Sequence, residues 1–304
     1  MNAKYHKGEL ELQQRFGETT MAKRVGRIIS NKIIPGAIPF IENQPFAILS
    51  STDSNDDNWC SILIGEDGWI SATEEGKIHF DLDKIYSPKT DLFFNNIIES
   101  HQVGMIVIDL STRRRYRING RVLLNNSHLE LTIEEAYPNC PKYIQRRISN
   151  FNNQDNTQPT ISKGNSLDEK QKRWITQSDT FFVGSQSSSG FLDVNHRGGN
   201  PGFIEILENG DLKIPDYVGN NMYNTLGNFV ENPKAGLLFF DFDKGSILQL
   251  TGSTSFLFDQ FSDLDNAKTM ETGRYWLFTP EKWIQTDQYH NINWELLDNS
   301  PFNP

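Results

Sequence analysis

The chain has 304 residues, of which 37% are hydrophobic, 22% charged and 12% aromatic, enough for about two folded domains and unlike a disordered chain. A net charge of −10 and an isoelectric point near 5.1 oppose a polyanion, which removes nucleic acid as an expected partner and leaves room only for a local phosphate site. No stretch approaches the ~18–20 apolar residues of a membrane helix, and Met1–Leu10 carries no apolar signal core. Cys60 and Cys140 are too few for a disulfide framework, and the six histidines show no zinc-helix spacing, so the expectation is a cytoplasmic protein with no metal.

In chain order, residues 5–31 read as helical, with apolar positions at Leu10, Leu12, Phe16, Val25, Ile28 and Ile29. After Pro39 short β-branched and aromatic runs follow one another: Phe46–Ser50, Cys60–Ile64, Trp69–Ser71, Lys77–Phe80, Gly104–Asp109 and Tyr116–Leu124. A helix is expected at Thr90–Glu99. Residues 149–168 are rich in Asn, Gln, Ser and Thr and read as a linker. A second series of strands is expected at Thr180–Ser185, Leu192–Asn195, Phe203–Leu207, Asp211–Ile214, Ala235–Phe240 and Ile247–Phe258, with a helix near Tyr223–Glu231.

The two series repeat. A shift of 132 residues aligns Leu92–Leu124 with Asn224–Phe256 without a gap, matching Asn96 with Asn228, Glu99 with Glu231, Gly104 with Gly236, Asp109 with Asp241 and Gly120 with Gly252. The implied organisation is an N-terminal helical segment (1–40), a first barrel (41–148), a linker (149–170) and a second barrel (171–304).

Two segments carry candidate chemistry. Asp193–Phe203 (DVNHRGGNPGF) sets Asn195, His196 and Arg197 before Gly198 and Gly199, the parts of an anion nest, although a hairpin turn with a surface arginine fits the same spacing. Pro215–Asn228 gathers Asp216, Asn220, Asn221, Tyr223 and Asn224 where a strand gives way to a helix, whose free N–H groups favour phosphate; a capped loop also suits these residues. The basic run Arg113–Arg117 reads as a solvated hairpin, and Cys140 as a buried structural cysteine rather than a reactive thiol.

These stretches resemble the pyridoxamine 5'-phosphate oxidase-related flavin-nucleotide-binding proteins. The resemblance runs through Asp179–Val183, Asn195–Phe203, Pro215–Asn228 and Asn232–Phe239, with Tyr5–Leu10 and Asn139–Gln145 in the first half. It implies a mainly β, α+β chain of two antiparallel FMN-binding split barrels that form an internal pseudo-dimer, with FMN as cofactor. Arg197 would take the phosphate, with Asn195, His196, Gly198, Gly199, Asp216, Asn220, Asn221, Tyr223 and Asn224 around it. No catalytic residue is assigned beyond His196 as a candidate. The second cluster departs from the oxidase pattern, and Gly273–Trp283 matches its closing segment only loosely. In the first half Ser61, Ile62 and Leu63 stand where Asn195, His196 and Arg197 stand in the second, so one flavin site per chain is expected, with Trp59, Ser61 or Arg117 as its first-half wall. The implied function is a flavin-dependent oxidoreductase with a small-molecule substrate or electron donor. The alternatives are a flavin or tetrapyrrole carrier, a redox sensor, or the same barrel using haem or a deazaflavin. A homodimer on top of the internal pair is left open.

Overall fold

The computed structural model describes residues 5–125, 127–151 and 158–304. The chain begins with α1 (Lys7–Arg15), α2 (Thr19–Val25) and α3 (Ile38–Glu42). The expected helix over 5–31 is thus broken, at Gly17 with φ 72° and again after Val25, where the backbone tightens into a 3₁₀ turn. The first barrel comprises β1 (Phe46–Thr52), β2 (Asn58–Ile64), β3 (Ile70–Ala72), β4 (Lys77–Asp81), α4 (Leu92–Glu99), β5 (Gln102–Asp109), β6 (Arg114–Asn125) and β7 (His128–Asn139). Then come β8 (Arg146–Phe151), β9 (Thr160–Gly164) and α5 (Glu169–Gln177). The second barrel has β10 (Thr180–Gln186), β11 (Leu192–Gly198), β12 (Glu205–Ile206), β13 (Leu212–Pro215), α6 (Asn224–Glu231), β14 (Lys234–Asp241), β15 (Ser246–Leu257), α7 (Asp263–Thr269) and β16 (Tyr275–Asp287). β17 (Ile292–Asp298) pairs with β8. The stretch read as linker is strand at both ends, with β9 laid on β16; the part of it at 152–157 lies outside the described residues.

Strand order is the same in both sheets: β2-β1-β5-β6-β7-β4-β3 and β11-β10-β14-β15-β16-β13-β12, all antiparallel. The register repeats as well. Ile48 pairs with Ile106 and Ile62, and Phe182 pairs with Leu238 and His196. Each sheet carries a bulge at one of the matched glycines, Gly120 in β6 and Gly252 in β15. A Cβ there would meet Thr132 O or Thr279 O at 2.1 Å, so only glycine lets the strand bend at that point.

β1 and β10 are buried on both faces, which is why they read as continuous apolar runs. Ala47 and Leu49 face the first barrel's core, while Phe181 and Val183 face the second's. The alternate residues Ile48 and Phe182 meet in a third core, with Cys60, Ile62, Ile106, Val194 and Leu238, that joins the barrels. Two matched glycines permit this contact: a Cβ on Gly104 would lie 2.7 Å from the Asp193 backbone, and one on Gly236 2.7 Å from Trp59 Cα. The pair is related by a pseudo-two-fold axis within one chain.

Gly104→Ala and Gly236→Ala should each cost about 1–3 kcal/mol, the usual penalty of overpacking, and lower the calorimetric melting temperature. Gly36→Ala, where a Cβ meets nothing within 4 Å, should leave it unchanged. Equal melting temperatures for all three would mean the barrels are not in such close contact.

Candidate functional site

Strand alternation decides which side chains of β11 reach a cavity. Asn195 and Arg197 turn to one side and His196 to the other. The cavity encloses about 130 Å³ at the seam between the halves. The second half supplies Asn195–Gly198, the loop 215–221, the start of α6 and Arg274; the first supplies Arg115, Asn139, Cys140 and Tyr143.

Three guanidinium groups converge here. Asp216 accepts from Arg197 Nη1 at 3.1 Å and from Arg274 Nε at 3.0 Å. Arg115 donates to Cys140 O at 2.8 Å, and burial lowers its pKa to about 10, with Arg117 and Arg197 adding repulsion. One aspartate against three arginines leaves a cationic hollow, with Glu18 on the lining as its other acid. Arg197 Nε is buried with no partner among the described residues. Arg274 is held flat by Phe16, 4.8 Å from the ring centroid, and donates to Tyr223 Oη at 3.3 Å.

The start of α6 adds backbone donors. Its first intrahelical bond runs from Gly227 N to Tyr223 O, so the N–H groups of Asn224, Thr225 and Leu226 open toward the cavity they line. The entering loop is held in an uncommon shape. Asn221 and Tyr223 both have φ 63°, in the left-handed region. Met222 N donates to Asn220 Oδ1 at 3.1 Å, and Gln13 of α1 donates to Met222 O at 3.1 Å. The N-terminal helix thus braces the loop, with Gly8 packed directly on Gly227.

Nine of the ten residues expected at a cofactor line this cavity; Gly199 does not. It packs behind, bonded to Asp179 O at 3.1 Å, and a Cβ there would strike the Phe203 ring. Gly198 is needed for close approach, since a Cβ would lie 2.0 Å from Tyr143 O. His196 contributes only its strand position. Its ring stands edge-on to Phe182, 5.5 Å away, and burial with Arg115, Arg197 and Arg147 nearby lowers its pKa well below the usual histidine range. Asp216 orients two arginines rather than meeting an anion itself. The solvated-hairpin reading of Arg113–Arg117 is corrected: the turn is real, but Arg115 lines the cavity, and Arg117 is 1% exposed, paired with Asp193 at 3.0 Å and bonded to Asn224 Oδ1 at 3.1 Å. Cys140 is half-buried at the cavity wall instead of in a core. Trp59 and Ser61 lie elsewhere, on Asp53 and Asp91. Alternation along β6, read as side-chain direction, was the available signal for Arg115 and Arg117.

At the equivalent place in the first barrel the protein fills its own hollow. Ser61 and Leu63 hold the register positions of Asn195 and Arg197, and Tyr289 is inserted beside them. Its hydroxyl lies 2.7 Å from Ile62 O and 3.0 Å from Asp91 Oδ2. Two acceptors facing one hydroxyl are satisfied when Asp91 carries a proton, and burial raises its pKa in that direction. Gln249 closes the space with bonds to Cys60 O at 2.7 Å and Ser61 Oγ at 3.0 Å.

No family model matches the chain, and no curated protein matches it. Solved structures similar to it include a protein related to general stress protein 26, of the pyridoxinephosphate oxidase family, from Clostridium acetobutylicum (16% identity, 43% of this chain and 91% of that one, TM-score 0.25). A FAD-binding protein from Mesorhizobium loti is 7% identical over 43% of this chain and 98% of its own, with TM-score 0.31. The haem storage protein HutZ from Vibrio cholerae is 12% identical over 41% and 97%, with TM-score 0.30. Two of the solved neighbours, from Lactobacillus delbrueckii and Clostridium acetobutylicum, carry the name of the pyridoxamine 5'-phosphate oxidase family that the sequence resembles. The fold is a pair of α+β split barrels. Among the described residues no helix is long and apolar enough to cross a membrane.

Asp216→Asn removes the charge shared by Arg197 and Arg274, leaving two partly buried cations to repel each other. The variant should melt lower than the native chain in an anion-free buffer and recover most of the difference when inorganic phosphate is added. A loss that phosphate does not reverse would mean the cavity has no special affinity for an oxyanion.

Proposed function

We propose that this chain binds FMN with the phosphate in the arginine cavity, in the service of a flavin-dependent redox reaction. The observation that carries the reading is that Arg115, Arg197 and Arg274 line one small cavity at the start of α6, with Asp216 as the carboxylate shared by Arg197 and Arg274. Arginine forks match phosphate oxygens in pairs, and a helix start adds donors of the right polarity. The unpartnered Arg197 Nε is a donor that such a group would satisfy. An enclosed volume of about 130 Å³ is small beside the ~300–1,000 Å³ of sites that bury a drug-sized ligand, so the cavity suits the phosphate end and a ring system would lie beyond it. Asn220, Asn221, Tyr223 and Asn224 shape the loop around that end. When bound, FMN supplies hydride or electron chemistry, while the protein sets its position and surroundings. The one histidine at the cavity turns its ring away, which gives a haem reading less support than a flavin one.

The absorbance spectrum of the purified protein, with identification of what heat releases, tests the cofactor directly; the expected product is FMN, and a Soret band would overturn the proposal. Arg197→Ala should weaken FMN binding by about 1.5–3 kcal/mol, the worth of a charge-assisted hydrogen bond, with the fold intact. Riboflavin, which lacks the phosphate, should bind the native chain far less tightly than FMN. Equal affinities would remove the phosphate from this cavity. Oxidation of NADH or NADPH by the holoprotein separates an enzyme from a carrier.

A further inference from the structure

Beside the arginine cavity lies a second, larger hollow of opposite character. It encloses about 830 Å³ between β7 of the first barrel, the β10–β11 hairpin of the second and the start of α1, and Asn224 lines both spaces. Its acids are Glu9, Glu134, Glu135 and Asp193. Asp193 is matched by Arg117 at 3.0 Å and Glu134 by Arg121 at 3.0 Å. His6 is drawn to Glu231 of α6 at 2.9 Å, with Glu9 farther away at 3.5 Å. Glu135 has no cation in ion-pair contact among the described residues, and burial, with the charge of Asp193 adding to it, raises its pKa, the mark of a carboxylate short of compensating charge.

Two further groups on its lining lack partners. Asn119 Oδ1 and Ser187 Oγ belong to residues 6% and 4% exposed, and neither has a hydrogen-bond partner among the described residues. Buried acceptors left open in this way are costly unless a donor reaches them. Tyr5, Ile133, Phe191 and Leu192 give the rest of the wall an apolar surface.

We propose that this hollow binds an organic ammonium ion, a primary amine on an apolar body, with Glu135, Asn119 and Ser187 as acceptors for its N–H groups. An ammonium brings three donors and no acceptor, the complement of what the wall offers. The site is independent of what the arginine cavity holds. Glu9 couples it to pH. Burial raises the Glu9 pKa to about 8, with the charges of Glu135 and Asp193 adding to the effect and bonds from His6 N and Asn224 opposing it. Tyr5, His6 and Tyr137 also lie close enough to interact with it, and His6 in turn meets Glu231. At neutral pH Glu9 therefore carries a proton, and a cation entering the hollow favours its release. Affinity for the cation should rise as pH climbs toward about 8 and level off above it.

The test is calorimetric titration of the full chain with phenethylammonium and with uncharged 2-phenylethanol, in buffers of different ionisation enthalpy. The amine should bind at least tenfold more tightly than the alcohol and release up to one proton at pH 7. Glu135→Gln should abolish that preference, and Ser187→Ala, which leaves the charge in place, should weaken the amine several-fold without changing the alcohol. Equal affinities for the two probes, or an amine preference that survives Glu135→Gln, would overturn the proposal. If Glu135→Gln folds poorly, Ser187→Ala and the pH dependence of the native preference decide it. A loss of FMN binding in Arg197→Ala with the amine preference unchanged would bear on the arginine cavity alone.

Discussion

Everything in this chain depends on the contact between two barrels that share one core. Ile48, Phe182 and their neighbours close that core, and it can form because Gly104 and Gly236 let backbone from one barrel meet backbone from the other. The contact brings the 139–143 segment of the first half across β11 of the second, where Gly198 lets Tyr143 O pass. Arg115 arrives at the cavity by the same route. Neither half supplies this wall alone. At the equivalent place across the pseudo-two-fold, Tyr289, Asp91 and Gln249 have taken up the space, so a symmetric scaffold carries two unlike sites.

Electrostatics sharpen the asymmetry. The chain as a whole is acidic, at −10, yet Arg115, Arg197 and Arg274 line one cavity, two of them sharing Asp216. The acidic hollow next door is separated from them by Asn224 and by the buried Arg117–Asp193 pair. That pair is expensive to desolvate, and cost of this kind is compensated when several bonds are made at once. Arg117 also donates to Tyr137 Oη at 2.7 Å and to Asn224 Oδ1 at 3.1 Å, so the divider is anchored to β7 and α6 together.

Much of the fold was legible in the sequence because apolar strands buried on two faces, such as Phe46–Thr52 and Thr180–Gln186, are hard to mistake. The 132-residue shift corresponds to a real equivalence of strand, bulge and register. β7 and β16 were missed because their exposed positions carry Glu, Lys, Thr and Gln, which dilutes the apolar signal along long, half-exposed strands. Of the site, the loop residues were legible and the first-half wall was not. Arg115 and Arg117 look like solvated charges in sequence; only their place on β6 turns them inward. His196 shows the converse, since a histidine beside an arginine reads as site chemistry until strand alternation sends its ring into the core.

If both halves of the chain build the phosphate site, Arg115 is the residue to remove, because it comes from the half with no phosphate motif of its own. The measurement is the ratio of FMN to riboflavin affinity in Arg115→Ala, made in the full-length chain with the native protein alongside. FMN affinity should fall by about tenfold or more, the loss of one charged hydrogen-bonding partner, while riboflavin affinity stays where it was. A variant that keeps the native ratio would show that the second barrel holds the phosphate without help from the first.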